Sequence, residues 1–173
     1  HAPSGRRHVK DGMEAYLDIE TTGLSPWADD ITVVGVYRGN DEDFFLSQLV
    51  GPDITRETVE LLLDGVETLY TYNGLRFDAV FLESRLQLQW PPSLRHCDLM
   101  YSCRNQGLYG GLKVVEQRLG IERKLQGVSG RMAVELWWRY ARRGDLGALD
   151  TLLCYNREDV QNLKTLREKL GVD

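Results

Sequence analysis

The order of strand-like and helix-like segments restricts the fold of this chain more than any other feature of its sequence. Three strand-like segments come first, then strands and helices alternate, and the last part of the chain is helical. This order predicts an α/β domain in which helices flank a sheet. The strand-like segments are 14–20, 31–37, 43–49, 69–72 and 94–97, and the helix-like segments are 55–64, 77–86, 99–104, 112–119, 134–142 and 146–170.

Length and composition are those of one ordinary globular domain. The chain has 173 residues, 42% of them hydrophobic and 27% charged, and it contains no apolar run of the ~18–20 residues that cross a bilayer. Its three cysteines form no CxxC pair, so we expect neither a zinc ribbon nor a disulfide scaffold. These features predict a cytoplasmic protein without a membrane partner. Residues 1–10 are expected to be a tag remnant or a disordered arm, and residues 11–173 to form the domain.

The chain is acidic, with 26 Asp and Glu against 21 Lys and Arg and a formal charge of −5. Proteins that bind nucleic acid usually carry a basic excess, because their cations replace the counterions of the phosphates. An acidic chain therefore has either an acidic solvated surface or carboxylates that are gathered to hold cations. The positions of the carboxylates distinguish these two possibilities.

Two carboxylates lie in the first strand-like segment, where apolar residues surround them. Asp18 and Glu20 are two residues apart, so both side chains extend from the same face of the sheet. On a buried face they would repel each other unless a cation lay between them. On a solvent-exposed face they would be ordinary surface acids. The pair alone is compatible with either arrangement.

Two later motifs also place polar groups on segments that are expected to pack against the sheet. Asp78 follows Phe77 in an apolar helix, and Asn73 before it is suited to a turn or a helix cap. Tyr155 and Asp159 are four residues apart and therefore share one face of the last helix. Taken separately, these motifs are also compatible with a helix cap and with a surface Tyr–Asp hydrogen bond.

The three motifs together resemble one known class of enzymes. They occur in a fixed order, each on its expected element, as in the DEDDy branch of the ribonuclease-H-like 3′→5′ exonucleases. The resemblance extends from about residue 14 to residue 170. The segment Tyr72-Asn73…Phe77-Asp78 is similar to the second exonuclease motif of family-B DNA polymerase proofreading domains. The segments His96-x-Asp98-Leu99 and Gly111-Leu112-Lys113-x-Val115-Glu116-x-x-Leu119-Gly120 are more similar to the stand-alone YprB-type exonuclease family.

This resemblance implies a ribonuclease-H-like domain: a mixed five-stranded sheet, its first three strands antiparallel, flanked by helices on both faces. It also implies a metal-dependent exonuclease that acts on the 3′ end of DNA or RNA and releases nucleoside 5′-monophosphates. The cofactors would be two divalent cations, Mg²⁺ or Mn²⁺, which prefer hard oxygen ligands and can stabilise both reacting oxygens of a phosphodiester. When the four expected metal ligands are left out of the count, the formal charge of the chain changes from −5 to −1; these are Asp18, Glu20, Asp78 and Asp159. The acidic balance therefore does not exclude a nucleic-acid partner.

The resemblance also assigns roles to five residues. Asp18 would bridge the two cations, and Glu20 and Asp159 would bind the first. Asp78 would reach the second cation, largely through water. Tyr155 would orient the attacking water. Because a phenol has a pKa of ~10, the metal rather than Tyr155 would have to promote the deprotonation of that water.

Five further positions are candidates for contacts to the substrate. Thr21, Thr22 and Leu24 follow the first strand, Asn73 precedes a helix, and Lys113 begins one. A turn, a core leucine and an ordinary surface lysine are the alternative interpretations. Asp98, between a strand and a helix, is expected to be a structural helix cap.

Other interpretations of the chain remain. Residues 18–23 are close to the Asp-x-Gly-Thr-Thr segment of sugar kinases and actin-like ATPases. In those proteins the middle glycine lets phosphate approach the backbone, whereas Glu20 would place a like charge there, and this chain is too short for two lobes. A catalytically silent nucleic-acid-binding or interaction module with an exonuclease-like fold is a further alternative, as is a proofreading domain cut from a polymerase.

Overall fold

The computed structural model describes residues 12–41 and 43–173. The expectation of a tag remnant or disordered arm at residues 1–10 falls outside this part of the chain. Each of the five predicted strands is present, within a few residues of its predicted bounds. The strands are β1 (Met13–Thr21), β2 (Ile31–Asn40), β3 (Asp43–Val50), β4 (Val66–Thr71) and β5 (Arg95–Asp98).

The strands form one mixed sheet in the order β3-β2-β1-β4-β5. β1 pairs antiparallel with β2, and β2 pairs antiparallel with β3. β4 is parallel to β1, and β5 is parallel to β4. The predicted mixed five-stranded sheet is thus confirmed. Because β1, β3, β4 and β5 all run in one direction, their carboxyl ends meet at the same edge of the sheet.

Helices cover both faces of the sheet, as predicted. The helices in the described ranges are α1 (Arg56–Leu63), α2 (Asp78–Leu86), α3 (Leu99–Asn105), α4 (Leu112–Leu119), α5 (Gly130–Arg143) and α6 (Leu146–Leu170). Apolar residues of α1 and α2 pack on one face, and those of α3, α4 and α6 pack on the other. α5 lies beside α6 on this second face. Within the described ranges, none of the helices combines the length and the apolar character that a membrane span requires.

The alternation of side chains along β1 determines which residues face α6. Ala15, Leu17 and Ile19 are buried in the core beneath α1 and α2. Tyr16 faces the opposite way and packs against residues of α3, α4 and α6. Since side chains alternate between the two faces of a strand, Asp18 and Glu20 share this second face with Tyr16.

Helix α6 spans 25 residues and packs against both β1 and β2. The side chain of Asp145 caps its first turn by accepting a hydrogen bond from the backbone N–H of Ala148 at 3.0 Å. The helix comes so near to the sheet at Gly35 that a Cβ atom there would lie 2.1 Å from Oδ1 of Asn156. Glycine at this position therefore allows the close approach of α6 to the carboxylate-bearing strand and its neighbour.

Helix α5 begins one turn earlier than its apolar pattern predicts. It starts at Gly130, because the hydroxyl of Ser129 accepts a hydrogen bond from the backbone N–H of Met132 at 3.2 Å. A serine followed by glycine resembles a loop in sequence, yet a serine is also a favourable residue before the first turn of a helix. The cap thus extends the helix into a segment without apolar periodicity.

Candidate active site

Three carboxylates from two elements converge at the edge where the strands end. One carboxylate oxygen each from Asp18, Glu20 and Asp159 lies within 4.8 Å of the others. β1 contributes the first two residues, and α6 contributes the third. Glu20 is only 8% exposed and Asp159 only 7%, so the alternative of ordinary surface acids is wrong for these two residues, whereas Asp18 is partly buried.

Asp78 lies beside this cluster as the first residue of α2. It is 4% exposed, and its Oδ2 accepts a hydrogen bond of 3.0 Å from the backbone N–H of Ile19. Ile19 stands between Asp18 and Glu20 in β1, so the contact fixes Asp78 against the strand segment that carries them. Asp78 is not among the three residues that share the 4.8 Å separation.

Burial and mutual repulsion raise the pKa of these carboxyl groups. For Asp18 and Glu20 burial is the largest cause, and the charge of Asp159 adds to it. Burial also raises the pKa of Asp78 to about 7. The pKa of Asp159 is raised as well, because burial outweighs the opposing effect of Arg123. Such a group of acids favours a positive charge among its oxygens.

The donor set fits a divalent cation. Oε1 of Glu20 is buried and has no hydrogen-bond partner in the described part of the chain. A buried carboxylate oxygen without a donor is costly unless a cation or another group satisfies it. Carboxylate oxygens are the ligands that Mg²⁺ and Mn²⁺ prefer. Asp18, Glu20 and Asp159 are therefore suited to hold a cation of this kind.

Asn156 orients Asp18, and the sequence motifs did not include it. Its Nδ2 donates to the backbone oxygen of Asp18 at 3.1 Å and to Oδ2 of the same residue at 3.3 Å. Its Oδ1 accepts from Nε2 of Gln48 at 3.0 Å, which fixes the direction of the amide. Asn156 lies in the buried row of α6 that also contains Leu152 and Asp159. A polar residue at this helical spacing was the signal that could have identified it.

The hydroxyl of Tyr155 contacts Lys113 rather than Asp159. Nζ of Lys113 donates to the phenol oxygen at 3.1 Å and lies 4.5 Å from the centre of the ring. It also donates to the backbone oxygen of Val128. Burial is the main cause that raises the pKa of Tyr155, and the charge of Asp159 adds to it, so the phenol stays neutral.

Lys113 and Arg123 are two cations at the same cleft, and only Lys113 was a candidate from sequence. The cleft has a volume of about 260 Å³ and is also lined by Asp18, Tyr155 and Asp159. Nη2 of Arg123 donates to Oδ1 of Asp159 at 2.5 Å. Arg123 lies in the irregular segment between α4 and α5, where no periodic pattern indicates which side chains turn inward.

The other substrate-contact candidates lie on two loops at the same edge of the sheet. The hydroxyl of Thr21 donates to the backbone oxygen of Gly23 at 2.6 Å, and that of Thr22 accepts from the N–H of Asp30 at 2.9 Å. Both hydroxyls thus stabilise the loop after β1. Leu24 in this loop is 85% exposed, so the alternative of a core leucine is wrong.

Asn73 forms a turn rather than a helix cap. Its φ is 59°, in the left-handed region that asparagine tolerates, and α2 begins at Asp78. Oδ1 of Asp98 accepts hydrogen bonds from the N–H of Asn73 at 2.8 Å and from that of Met100 at 3.1 Å. The expected cap at Asp98 is confirmed, and the same carboxylate holds the turn after β4.

Comparisons with known proteins agree with this architecture. The archaeal family B DNA polymerase from Pyrobaculum calidifontis superposes with a TM-score of 0.74 at 18% identity, over 92% of this chain and 24% of that one. NrnC from Brucella melitensis gives a TM-score of 0.58 at 21% identity, over 91% and 71%. The zinc-bound E. coli ExoI–ssDNA complex gives 0.51 at 16% identity, over 78% and 42%.

These likenesses concern the fold, and this chain spans about a quarter of the length of the polymerase. No curated protein matches the chain. A family model gives the assignment: RNase_H_2, of the RNase H superfamily, matches residues 15–171. This match includes every residue of the carboxylate cluster and nearly all of the described fold. The chain therefore belongs to the RNase_H_2 family of the RNase H superfamily.

Proposed function

We propose that this protein is a metal-dependent 3′→5′ exonuclease that hydrolyses nucleic acid from its 3′ end and releases nucleoside 5′-monophosphates. The convergence of Asp18, Glu20 and Asp159 within 4.8 Å is the observation that carries the proposal. The orphaned oxygen of Glu20 and the nearby Asp78 support it, since both fit a site for divalent cations. The nuclease-like fold is consistent with a nucleic-acid partner.

Each acid has a distinct part in this proposal. Asp18, Glu20 and Asp159 would hold the first Mg²⁺ or Mn²⁺, and Asp18 with Asp78 would serve a second ion. Bound cations of this type lower the pKa of an attacking water and stabilise the attacking and leaving oxygens of a phosphodiester. Asn156 would keep Asp18 oriented through the two hydrogen bonds that it donates.

Tyr155 would orient the attacking water with its hydroxyl group. A protonated lysine can only donate hydrogen bonds, so the phenol oxygen accepts from Lys113 and its own hydrogen points to another acceptor. Because the phenol is neutral, its hydroxyl group can donate a hydrogen bond to the attacking water. The charge of Lys113 is also suited to a phosphate oxygen of the substrate, since it lines the same cleft as Asp18.

The loops at the sheet edge would bind the terminal nucleotides. Leu24 is exposed enough to pack against a base, while Thr21 and Thr22 would act by shaping the loop that carries it. Asn73 would contact the substrate from the turn after β4.

The test is the digestion of 5′-labelled DNA and RNA oligomers with Mg²⁺ or Mn²⁺, against a chelator control. We expect a one-nucleotide ladder from the 3′ end. Asp18→Ala and Asp159→Asn should reduce the rate by about 10³-fold, because several kcal/mol of transition-state stabilisation depend on the bound cations. The matched control is Asp150→Asn, an exposed residue on α6, which should retain the wild-type rate.

Two results would contradict the proposal. Wild-type cleavage by the Asp18 and Asp159 variants would remove these residues from the reaction. Inertness of the unmodified protein toward every oligomer, in both metals, would favour a catalytically silent binding module.

A further inference from the structure

A buried ionic network lies directly behind Asp159. Arg123 donates from Nε to Oε2 of Glu116 at 2.6 Å and from Nη2 to Oε1 of the same residue at 2.8 Å. Nη2 also donates to Oδ1 of Asp159 at 2.5 Å. Glu116 is 1% exposed, and the side chain of Arg123 is largely buried. The three side chains therefore form one continuous network that excludes most solvent.

The geometry of this network leaves one oxygen of Asp159 for the carboxylate cluster. A guanidinium is a rigid fork, so two parallel hydrogen bonds to Glu116 fix its plane and its position. The contact to Asp159 then takes Oδ1 alone. Arg123 donates no hydrogen bond to Oδ2, and one carboxylate oxygen of Asp159 lies within 4.8 Å of oxygens of Asp18 and Glu20.

Burial makes such a network costly, because each charge has lost its hydration. A cation beside a metal site also repels the metal. On charge alone, Arg123 would therefore weaken metal binding, and its removal would strengthen it. A second contribution of opposite sign is positional: groups that hydrogen-bond a metal-ligating carboxylate hold it in the orientation that the metal requires.

We propose that Arg123, fixed by Glu116, is a positioning residue that holds Asp159 in the orientation for binding a divalent cation. The inference rests on the proposed function, since it concerns the same site. It adds α4 and the segment after it to the parts of the fold that determine metal affinity. The positional contribution exceeds the repulsion between the guanidinium and the metal, so loss of Arg123 weakens metal binding.

The test is the dissociation constant of Mn²⁺, measured by isothermal titration calorimetry on the full chain. The decisive variant is Arg123→Met/Glu116→Leu, which removes one positive and one negative charge and keeps similar volumes. Its formal charge equals that of the wild type, so a long-range charge effect predicts no change. Loss of positioning predicts Mn²⁺ binding weaker by about 10- to 100-fold.

The matched control makes the same substitutions in an exposed ion pair. Arg131 and Glu135 pair on the surface of α5, and Arg131→Met/Glu135→Leu should leave Mn²⁺ binding unchanged. Arg123→Lys is a second variant, which keeps the charge but loses the fork. We expect it to weaken Mn²⁺ binding as well. Circular dichroism in chelator identifies the folded variants, and Arg123→Lys remains informative if the double variant does not fold.

Unchanged or tighter Mn²⁺ binding by the folded double variant would overturn the inference, as would unchanged binding by Arg123→Lys. In either case, a wild-type protein that binds Mn²⁺ and cleaves oligomers would leave the proposed function intact. A wild-type protein that binds no Mn²⁺ would contradict the proposed function itself.

Discussion

Tyr155 shows how neighbouring groups determine the chemistry of one side chain. Its phenol lies between the acids of the cluster and the ammonium group of Lys113, which donates to its oxygen at 3.1 Å. Burial and the charges of Asp159, Glu20 and Asp18 raise its pKa, so it does not serve as a base at neutral pH. In the proposed reaction, Tyr155 would act as a hydrogen-bond donor.

Replacement of this donor should slow the reaction without disturbing the metal. We expect Tyr155→Phe to lower kcat by about 10²-fold, the lower range for a group that assists proton movement in a reaction. The dissociation constant for Mn²⁺ should stay at the wild-type value, because the phenol is not a ligand of the cluster. Steady-state digestion of a labelled oligomer at saturating concentration measures kcat, and calorimetry measures the dissociation constant for Mn²⁺.

Tyr109→Phe is the control for this substitution, since Tyr109 is an exposed tyrosine outside the cleft. An unaltered kcat in Tyr155→Phe would show that the phenol takes no part in the reaction. A large loss of Mn²⁺ affinity in the same variant would assign it to metal binding instead.

The site residues differ in how far sequence alone could indicate them. Asp18 and Glu20 occupy a strand with clear alternation, and Tyr155 and Asp159 occupy a helix with clear periodicity, so each pattern fixes a common face. Arg123 has no such support. It lies in an irregular segment, and only its contacts in the folded chain bring it to Asp159.

At the scale of elements, the distance between α6 and β2 determines the geometry of the site. The two elements meet where Gly35 faces Asn156, with no room for a Cβ atom. Asn156 in turn donates to Asp18. A change in the distance between α6 and β2 would therefore move the side chain of Asn156 and, through its hydrogen bonds, alter the orientation of Asp18.

Gly35→Ala should affect both stability and activity. The added methyl group would lie 2.1 Å from Oδ1 of Asn156, and overpacking of this kind costs about 1–3 kcal/mol. Displacement of Asn156 should also lower kcat, because Asp18 loses its orienting donor. Urea unfolding measures the change in stability, and the exonuclease assay measures the change in kcat.

The control is Gly130→Ala at the start of α5, where a Cβ atom would meet nothing within 4 Å. It should leave kcat unchanged and should raise stability by at most about 1 kcal/mol, since alanine restricts the unfolded chain more than glycine does. Wild-type stability in Gly35→Ala would show that α6 moves away from the sheet without cost. Reduced stability with unchanged kcat would show that Asn156 does not orient Asp18.

The sheet and its helices were largely evident from the sequence because most segments have a clear period. The exceptions have local causes. Helix α5 starts at Gly130 because Ser129 caps it, and β4 starts at Val66, before the apolar stretch at residues 69–72 that predicts it. The mixed five-stranded sheet came from the family resemblance, and the order of its strands was not predicted, because the pairing of β1 with β4 depends on contacts between distant segments.

For the whole molecule, the proposed metal site would couple metal binding to stability. Four acids whose pKa burial raises oppose the folded state when they are ionised. A cation that binds only the folded chain therefore stabilises it by mass action. Mn²⁺ at 100 times its dissociation constant should contribute about 2.7 kcal/mol, which corresponds to an increase in Tm of roughly 5–10 °C.

Thermal unfolding monitored by circular dichroism, with and without Mn²⁺, measures this increase. Excess chelator should reverse it. Asp18→Asn serves as the comparison, since a variant without this ligand should show little increase at the same concentration. Equal increases in the wild type and in Asp18→Asn would place the bound metal somewhere other than the cluster.

The separation in sequence of the residues that meet at the site has a consequence for folding kinetics. Asn156 donates to the backbone of a residue 138 positions earlier. The entropic cost of closing a loop rises with its length, and proteins rich in such long-range contacts fold more slowly. A chain in which α6 has not yet packed on the sheet would lack the assembled carboxylate cluster, so under the proposed function it would not cleave nucleic acid.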